Sequence, residues 1–166
     1  MVQIRLAHRD DAATLMRVHR EAVFAKAAPF YDEAILESWS PGATPERVRR
    51  VEQEIVDPHY ITLVAEHEGE VLGFATAIPS RNELRALYVK PNTVGCVGQR
   101  LLNYIEVLAF DAGAAYLEFD ASLNAEAFYR ANGYIEIGRA DHVSDSGDAS
   151  AAIQLRKIRP DRRGSA

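Results

Sequence analysis

The sequence has one cysteine, Cys96, in 166 residues. An internal disulfide is therefore excluded, and so is a cysteine-rich zinc site; no metal is expected. No apolar run approaches the roughly 20 residues that span a bilayer. The opening MVQIRLAHRDD lacks the apolar core and cleavage site of a secretory signal. The cytoplasm is the default location, with no membrane partner. An excess of positive charge is also missing: the formal net charge is −5, which argues against nucleic acid as a partner. Basic residues gather at the end, in RKIRPDRRGSA, where residues 159–166 read as a flexible tail on a domain of residues 1–158. There is no internal repeat and no low-complexity linker. What is present, an apolar share of 48% over this length, suits one domain with a full core.

Periodicity supplies the elements. Val2, Ile4 and Leu6 alternate with polar residues as in a half-buried strand. Asp10 and Asp11 then open a helix whose apolar stripe is Leu15, Met16, His19, Ala22 and Val23. DEAILESW is a second short helix. Thr44-Pro45 starts a third, burying Val48, Val51 and Ile55. YITLVAEH and EVLGFATAI, joined at Glu68-Gly69, form a hairpin, and ELRALYV is a further strand. A helix from about Gly98 to Phe110 buries Leu101, Leu102, Ile105 and Leu108 or Ala109, and Gly113 stops it. The strand AYLEFDA, the short helix NAEAFYRAN and the strands YIEIGR and AAIQLRKI follow, the last two joined by the polar loop DHVSDSGD. This order is a mixed α/β sheet with helices on both faces.

Residues 87–102, LYVKPNTVGCVGQRLL, carry a strand-like run, then Gly95 and Gly98, then a helical period. A helix entered from a strand presents unsatisfied N–H groups and the positive end of its dipole. A phosphate fits there, and glycines let it approach the main chain. The same two glycines equally suit a tight turn, so both readings stand on spacing alone. A P-loop is excluded because no Gly-Lys-Ser/Thr follows, and the three-glycine spacing of a dinucleotide fold is missing.

With LEFDASLNAEAFYRANGY further on, this run resembles the GNAT superfamily of N-acetyltransferases, and the order of elements resembles it from residue 2 to about 158. The resemblance implies a single α/β (α+β) domain with a mixed sheet of about seven strands and helices on both faces. It further implies fourth and fifth strands that splay apart, so that the peptide-like arm of acetyl-CoA lies along a free strand edge. Acetyl-CoA would be the cosubstrate, resting on Leu87, Tyr88 and Val89. Its pyrophosphate would sit on the backbone of Val94, Gly95, Cys96, Val97, Gly98, Gln99 and Arg100, and Asn124 and Phe128 would flank its arm. The glycine loop departs from the family pattern. Cys96 or Val97 replaces a glycine, according to alignment, and the loop is one residue short. The implied activity is direct transfer of acetyl to a primary amine of a small molecule or peptide in a ternary complex. A non-catalytic acyl-CoA-binding module of the same fold is the alternative, motivated by the short loop. An unrelated α/β domain holding another phosphate ligand is the third reading.

Such a transfer needs a base, because an alkylammonium pKa is about 10. It also needs a donor for the developing oxyanion and an acid for the thiolate. Glu83, at the start of ELRALYV, resembles a catalytic glutamate of several family members; Glu118 and Asp120 are rival bases. The resemblance assigns the oxyanion donor to the Val89 N–H and the acid to Tyr129. Phe128 and Tyr129 point about 100° apart on a helix. Phe128 is assigned to the core and Tyr129 to the cleft, which avoids burying an unpaired hydroxyl. Cys96 lacks an obvious His/Asp partner set and reads as structural. Phe30, Tyr31 and Trp39 could wall an acceptor pocket with Asp32, Glu33 and Glu37 attracting a cation, or they could belong to a helix docked on the sheet. His142, in the last inter-strand loop, either faces the acceptor or is solvated. His19 reads as a core residue. Nothing in the sequence selects among a small amine, an amino acid, an antibiotic and a protein amine as acceptor. A homodimer is an expectation by analogy with families of this kind.

Overall fold

The computed structural model describes residues 1–143 and 149–161; of residues 27, 124, 140–143 and 149–151 it describes the backbone alone. The strands are β1 (Gln3–Leu6), β2 (Ile61–His67), β3 (Glu70–Ile78), β4 (Glu83–Val89), β5 (Tyr116–Ser122), β6 (Ile135–Val143) and β7 (Ala149–Ile158). They form one sheet in the order β1-β2-β3-β4-β5-β7-β6. Every neighbouring pair is antiparallel except β4 and β5, which are parallel. The helices are α1 (Ala12–Ala27), α2 (Glu33–Trp39), α3 (Pro45–Val56), α4 (Val97–Asp111) and α5 (Glu126–Ala131).

Local chemistry sets the boundaries. Glu68 and Gly69, at φ 52° and 81°, close the β2–β3 hairpin. The Thr44 side chain accepts the Arg47 N–H at 3.3 Å and Pro45 opens α3. Gly113 at φ 102° ends α4, and Gly133 at φ 85° ends α5. The α4 stripe packs on one face of the sheet: Leu101, Leu102, Ile105 and Ala109 are buried with Leu63, Ala65, Ala75 and Ala77. On the other face Leu15 and Val18 of α1 meet Val64, Val71 and Phe74, with Ile55 of α3 beside them. Helices therefore cover both faces, as the sequence implied.

Three local expectations are corrected. Leu6 is 61% exposed, because β1 is a short edge strand and its last side chain lies past the core. Val48, Val51 and Ile55 are only half-buried, since α3 covers α1 rather than lying flat on the sheet. Asp141, His142 and Val143 are strand, not loop, because β6 stays paired to β7 as far as Val143 opposite Ala149. Residues 162–166 of the expected tail lie outside the described residues. No helix among the described residues is long and apolar enough to cross a membrane.

The irregularity that matters is between β4 and β5. They share one register pair, Glu83 with Glu118. The Glu118 N–H donates to the Asn82 carbonyl at 2.9 Å. Asn82 is in the left-handed region at φ 55°, and its side-chain oxygen accepts the N–H of Ala115 at 2.8 Å. Beyond this stitch the two strands part. A bulge lies just past it: Thr76 faces Ala86 while Ala77 faces Leu84, so Arg85 is the extra residue of β4. The splay between the fourth and fifth strands is thus present.

Candidate active site

The parting strands open a cleft of about 890 Å³. Its walls come from β4, β5 and β7, from Tyr129 of α5, and from α1, α2 and α3. It therefore reaches through the sheet from the α4 face to the α1 face.

At the narrow end Glu83 and Glu118 stand side by side. Like charges in such a pair oppose each other, and each has its own arginine. Arg156 holds Glu118 through two bonds to Oε2, at 2.8 and 2.6 Å. Arg85 approaches Glu83 Oε1 at 3.4 Å and shares itself with Glu54 at 3.8 Å. Glu118 is clamped and Glu83 is held loosely, so of the two Glu83 has its carboxylate the less engaged. Asp120 also lines the cleft but is exposed.

Tyr129 is the more buried of the two α5 aromatics, 6% exposed, with its ring against Phe119 at 4.4 Å. The assignment of Phe128 to the core and Tyr129 away from it is thus not how the side chains divide. Tyr129 belongs to the core cluster and also lines the cleft, while half-buried Phe128 lies beside Gly98. The reason is that α5 lies in the angle between sheet and α4, where the inward direction is also the cleft. The Tyr129 hydroxyl makes no hydrogen bond among the described residues. Burial, with Tyr88 and Glu106 nearby, pushes its pKa well above the usual phenol value, so it is a protonated donor at neutral pH.

Along β4 the backbone is bonded to β3 on one side and, past Glu83, free on the other. Lys90 N–H donates to Leu72 O at 2.8 Å. By strand alternation the N–H groups of Val89 and Leu87 then face the split. At the end of this edge, outside the cleft lining, lies the loop into α4. Gly95, at φ 87° with open space around it, supplies the turn. Gly98 has ordinary φ; a Cβ there would lie 3.5 Å from Val89 Cγ2 and 3.8 Å from the Phe128 ring, at ordinary contact distance. Cys96 is the exposed N-cap residue and gives no side-chain cap. The Arg100 N–H is already donated to the Cys96 carbonyl at 2.9 Å, which removes it from the expected anion-binding set. The N–H groups of Val97, Gly98 and Gln99 are the orphans of the helix start. The Gln99 side chain bonds Asn103 and Asn132, tying α4 to the end of α5. The side chain of Asn124 lies outside the described residues. No group of three or more His, Cys, Asp or Glu suited to a metal occurs among the described residues.

On the α1 face, the expected acceptor residues divide. Trp39 lines the cleft. Tyr31 packs at a tilt against Trp39, ring centres 4.5 Å apart, and its hydroxyl accepts the Leu123 N–H at 2.9 Å, so it backs the wall. Phe30 is 51% exposed and is not part of the lining. Asp32, Glu33 and Glu37 do not line the cleft either, and Glu37 is paired with Arg20 at 2.8 Å. The side chain of His142 lies outside the described residues. The sequence reading missed two residues here, His19 and Arg47, both in the cleft wall. The apolar spacing around His19 concealed that its ring stands edge-on to Tyr88 at 4.3 Å, with Nδ1 2.8 Å from Ser40 Oγ.

Burial, and then the charge of Arg47, lower the His19 pKa to about 4. The unfolded chain, with its histidine at 6.5, binds more protons than the folded one between these values. Stability from this group is therefore complete above pH 6.5 and is lost as pH falls toward 4, by about 3 kcal/mol. Denaturant midpoints measured across this window should fall less steeply for His19→Gln than for the wild type. Parallel pH dependences would show that His19 titrates normally.

A family model described as acetyltransferase (GNAT) family matches residues 27–134. No curated protein matches the chain. Among solved structures, a GCN5-related N-acetyltransferase from Rhodopseudomonas palustris is 28% identical with a TM-score of 0.82, covering 94% of each chain. The PaiA N-acetyltransferase of Thermoplasma acidophilum, solved with coenzyme A, is 24% identical with a TM-score of 0.71, covering 96% of this chain and 99% of its own. YncA from Salmonella typhimurium, solved with its cofactor acetyl-CoA, is 21% identical with a TM-score of 0.68, covering 98% of this chain and 96% of its own. The family match runs from the last residue of α1 to just past α5, across the split strands and the glycine loop, and this chain belongs to the GNAT family of acetyltransferases.

Proposed function

We propose that the protein transfers the acetyl group of acetyl-CoA to a primary amine in a ternary complex. The observation that carries this reading is the one-sided opening of the sheet. The free β4 edge runs past Glu83 and Tyr129 toward three orphan N–H groups at the start of α4. The PaiA and YncA relatives were solved with coenzyme A and acetyl-CoA respectively. The residues fit such a cosubstrate: the edge suits an amide-bearing arm and the helix start suits its pyrophosphate. Acetyl-CoA supplies an activated thioester. The chain supplies the rest. Glu83 takes the proton from the incoming ammonium, directly or through water. The Val89 N–H, facing the split, donates to the carbonyl oxygen as charge develops there. Tyr129 donates its phenolic hydrogen toward the departing sulfur. Release of free CoA thiol across an amine panel tests the reading; calorimetric binding of acetyl-CoA without release for any amine would favour the non-catalytic alternative.

The cradle has its own test. Gly98→Ala adds a Cβ at ordinary contact distance from Val89 and Phe128, whereas Gly98→Val adds two further methyl groups beside the helix start. Gly98→Val is expected to weaken CoA binding about tenfold, or about 1.4 kcal/mol, with Gly98→Ala near wild type. Calorimetry should also show CoA binding better than its dephosphorylated pantetheine fragment. Equal affinity for CoA and pantetheine would place the pyrophosphate elsewhere.

A further inference from the structure

The cleft is lined by more cationic than anionic side chains, although the chain as a whole has net charge −5. Five arginines line the cleft, Arg47, Arg50, Arg81, Arg85 and Arg156, against the carboxylates Glu83, Glu118 and Asp120. Most of these cations are accounted for. Arg156 is taken by Glu118, Arg85 by Glu83 and Glu54, and Arg50 approaches Glu54 at 4.0 Å. Arg81 is exposed to water. Arg47 is different. Its side chain is half-buried, its Nε is sealed from solvent without a hydrogen bond, and it has no ion-pair partner among the described residues. A sealed N–H without an acceptor is costly, and the two terminal nitrogens of the fork stay open to the cleft. Its planar fork matches an oxyanion held through two parallel bonds. Beside it in the lining stand His19 and Trp39.

We infer that Arg47 is a specificity residue for the acceptor, and that the acceptor is an amine that also bears an oxyanion, a carboxylate or a phosphate monoester. This rests on the acetyl-transfer reading above. The position separates the role from cosubstrate binding: α3 stands with α1 on one face of the sheet, and α4, whose start is the phosphate cradle, stands on the other. His19 supports the assignment. It is kept neutral beside Arg47, and in the tautomer whose Nδ1 accepts the Ser40 hydroxyl hydrogen the Nε2–H is left to donate to an anionic group. The expectation of a cation attracted by Asp32, Glu33 and Glu37 is replaced, since none of them reaches the cleft.

The test compares matched acceptors by CoA-thiol release: free L-amino acids against their amides, and O-phosphoethanolamine against ethanolamine. The wild type should prefer at least one anionic member by tenfold or more in kcat/KM. Arg47→Gln should remove that preference mainly through acceptor KM, leaving KM for acetyl-CoA unchanged, and Arg47→Lys should keep part of it. The two pairs separate carboxylate from phosphate. Equal use of anionic and neutral partners, or an Arg47→Gln loss that is the same for both, overturns the inference. Binding is read separately from turnover. Trp39 is the only tryptophan and lines the cleft, so its fluorescence in the CoA-saturated protein reports occupancy by the same compounds. Anion-selective quenching that disappears in Arg47→Gln, without turnover of any amine, would sustain the anion site while refuting acetyl transfer. Absence of selective quenching together with absence of selective turnover refutes the site. Circular dichroism of each variant checks that the fold is intact.

Discussion

Glu83→Gln should lower kcat/KM by two or more orders of magnitude while acetyl-CoA binds as before. An amine with a pKa of about 10 is almost wholly protonated at pH 7, and loss of a positioned base typically costs about 10²–10⁴-fold. The substitution keeps the shape of the side chain and the site of its contact with Arg85 at 3.4 Å. It removes the charge and the basicity. Raising the pH should therefore recover much of the loss, because the acceptor then arrives deprotonated. Glu118, fixed by two bonds from Arg156, is the control: Glu118→Gln should disturb the β5–β7 register more than the pH–rate profile. If Glu83→Gln leaves that profile unchanged, the base is Asp120 or a water chain.

Tyr129→Phe should reduce kcat roughly tenfold to a thousandfold, with folding and CoA binding nearly intact. The substitution deletes one oxygen, which has no hydrogen bond to lose among the described residues, and keeps the ring packed on Phe119. Burial holds the phenol above its usual range, while an ordinary thiol has a pKa of about 8.5. Full proton transfer to the sulfur would thus run uphill in water. The same desolvation disfavours a bare thiolate in the cleft, and a hydrogen bond to a developing anion is worth most there. The loss should shrink with an acyl donor whose thiol is more acidic. An unchanged kcat under chemistry-limited conditions would reduce Tyr129 to core packing.

Turns and apolar periods made the order of elements readable. Glycines 69, 113 and 133 all adopt positive φ where the sequence puts a stop, and the α4 stripe is the one its spacing implies. The site was legible in part. Glu83, Tyr129 and Trp39 do meet in one cleft, but only the family resemblance, not the spacing, joined the first two. What stayed hidden depends on tertiary placement. Arg47 sits in the first turn of a polar helix, and nothing local tells that its side chain turns inward once α3 lies on α1. The Arg156–Glu118 clamp joins residues 38 apart in sequence. The dual setting of Tyr129, core and cleft at once, has no signature in a helical wheel.

The stitch at Asn82 has a mechanical meaning. The sheet is two blades, β1 to β4 and β5 to β7, each complete in its own ladders and pinned together at one end. Turning one blade about the pin widens or narrows the gap without breaking a single ladder bond. What joins the blades beyond the pin is packing alone, since Leu84, Leu117 and Leu155 share one buried core under α4. Glu83 and Glu118, at the pin, hardly move in such a turn, whereas the Val89 end of β4 travels furthest. A wedge can thus adjust its grip at the wide end while the carboxylates stay in register.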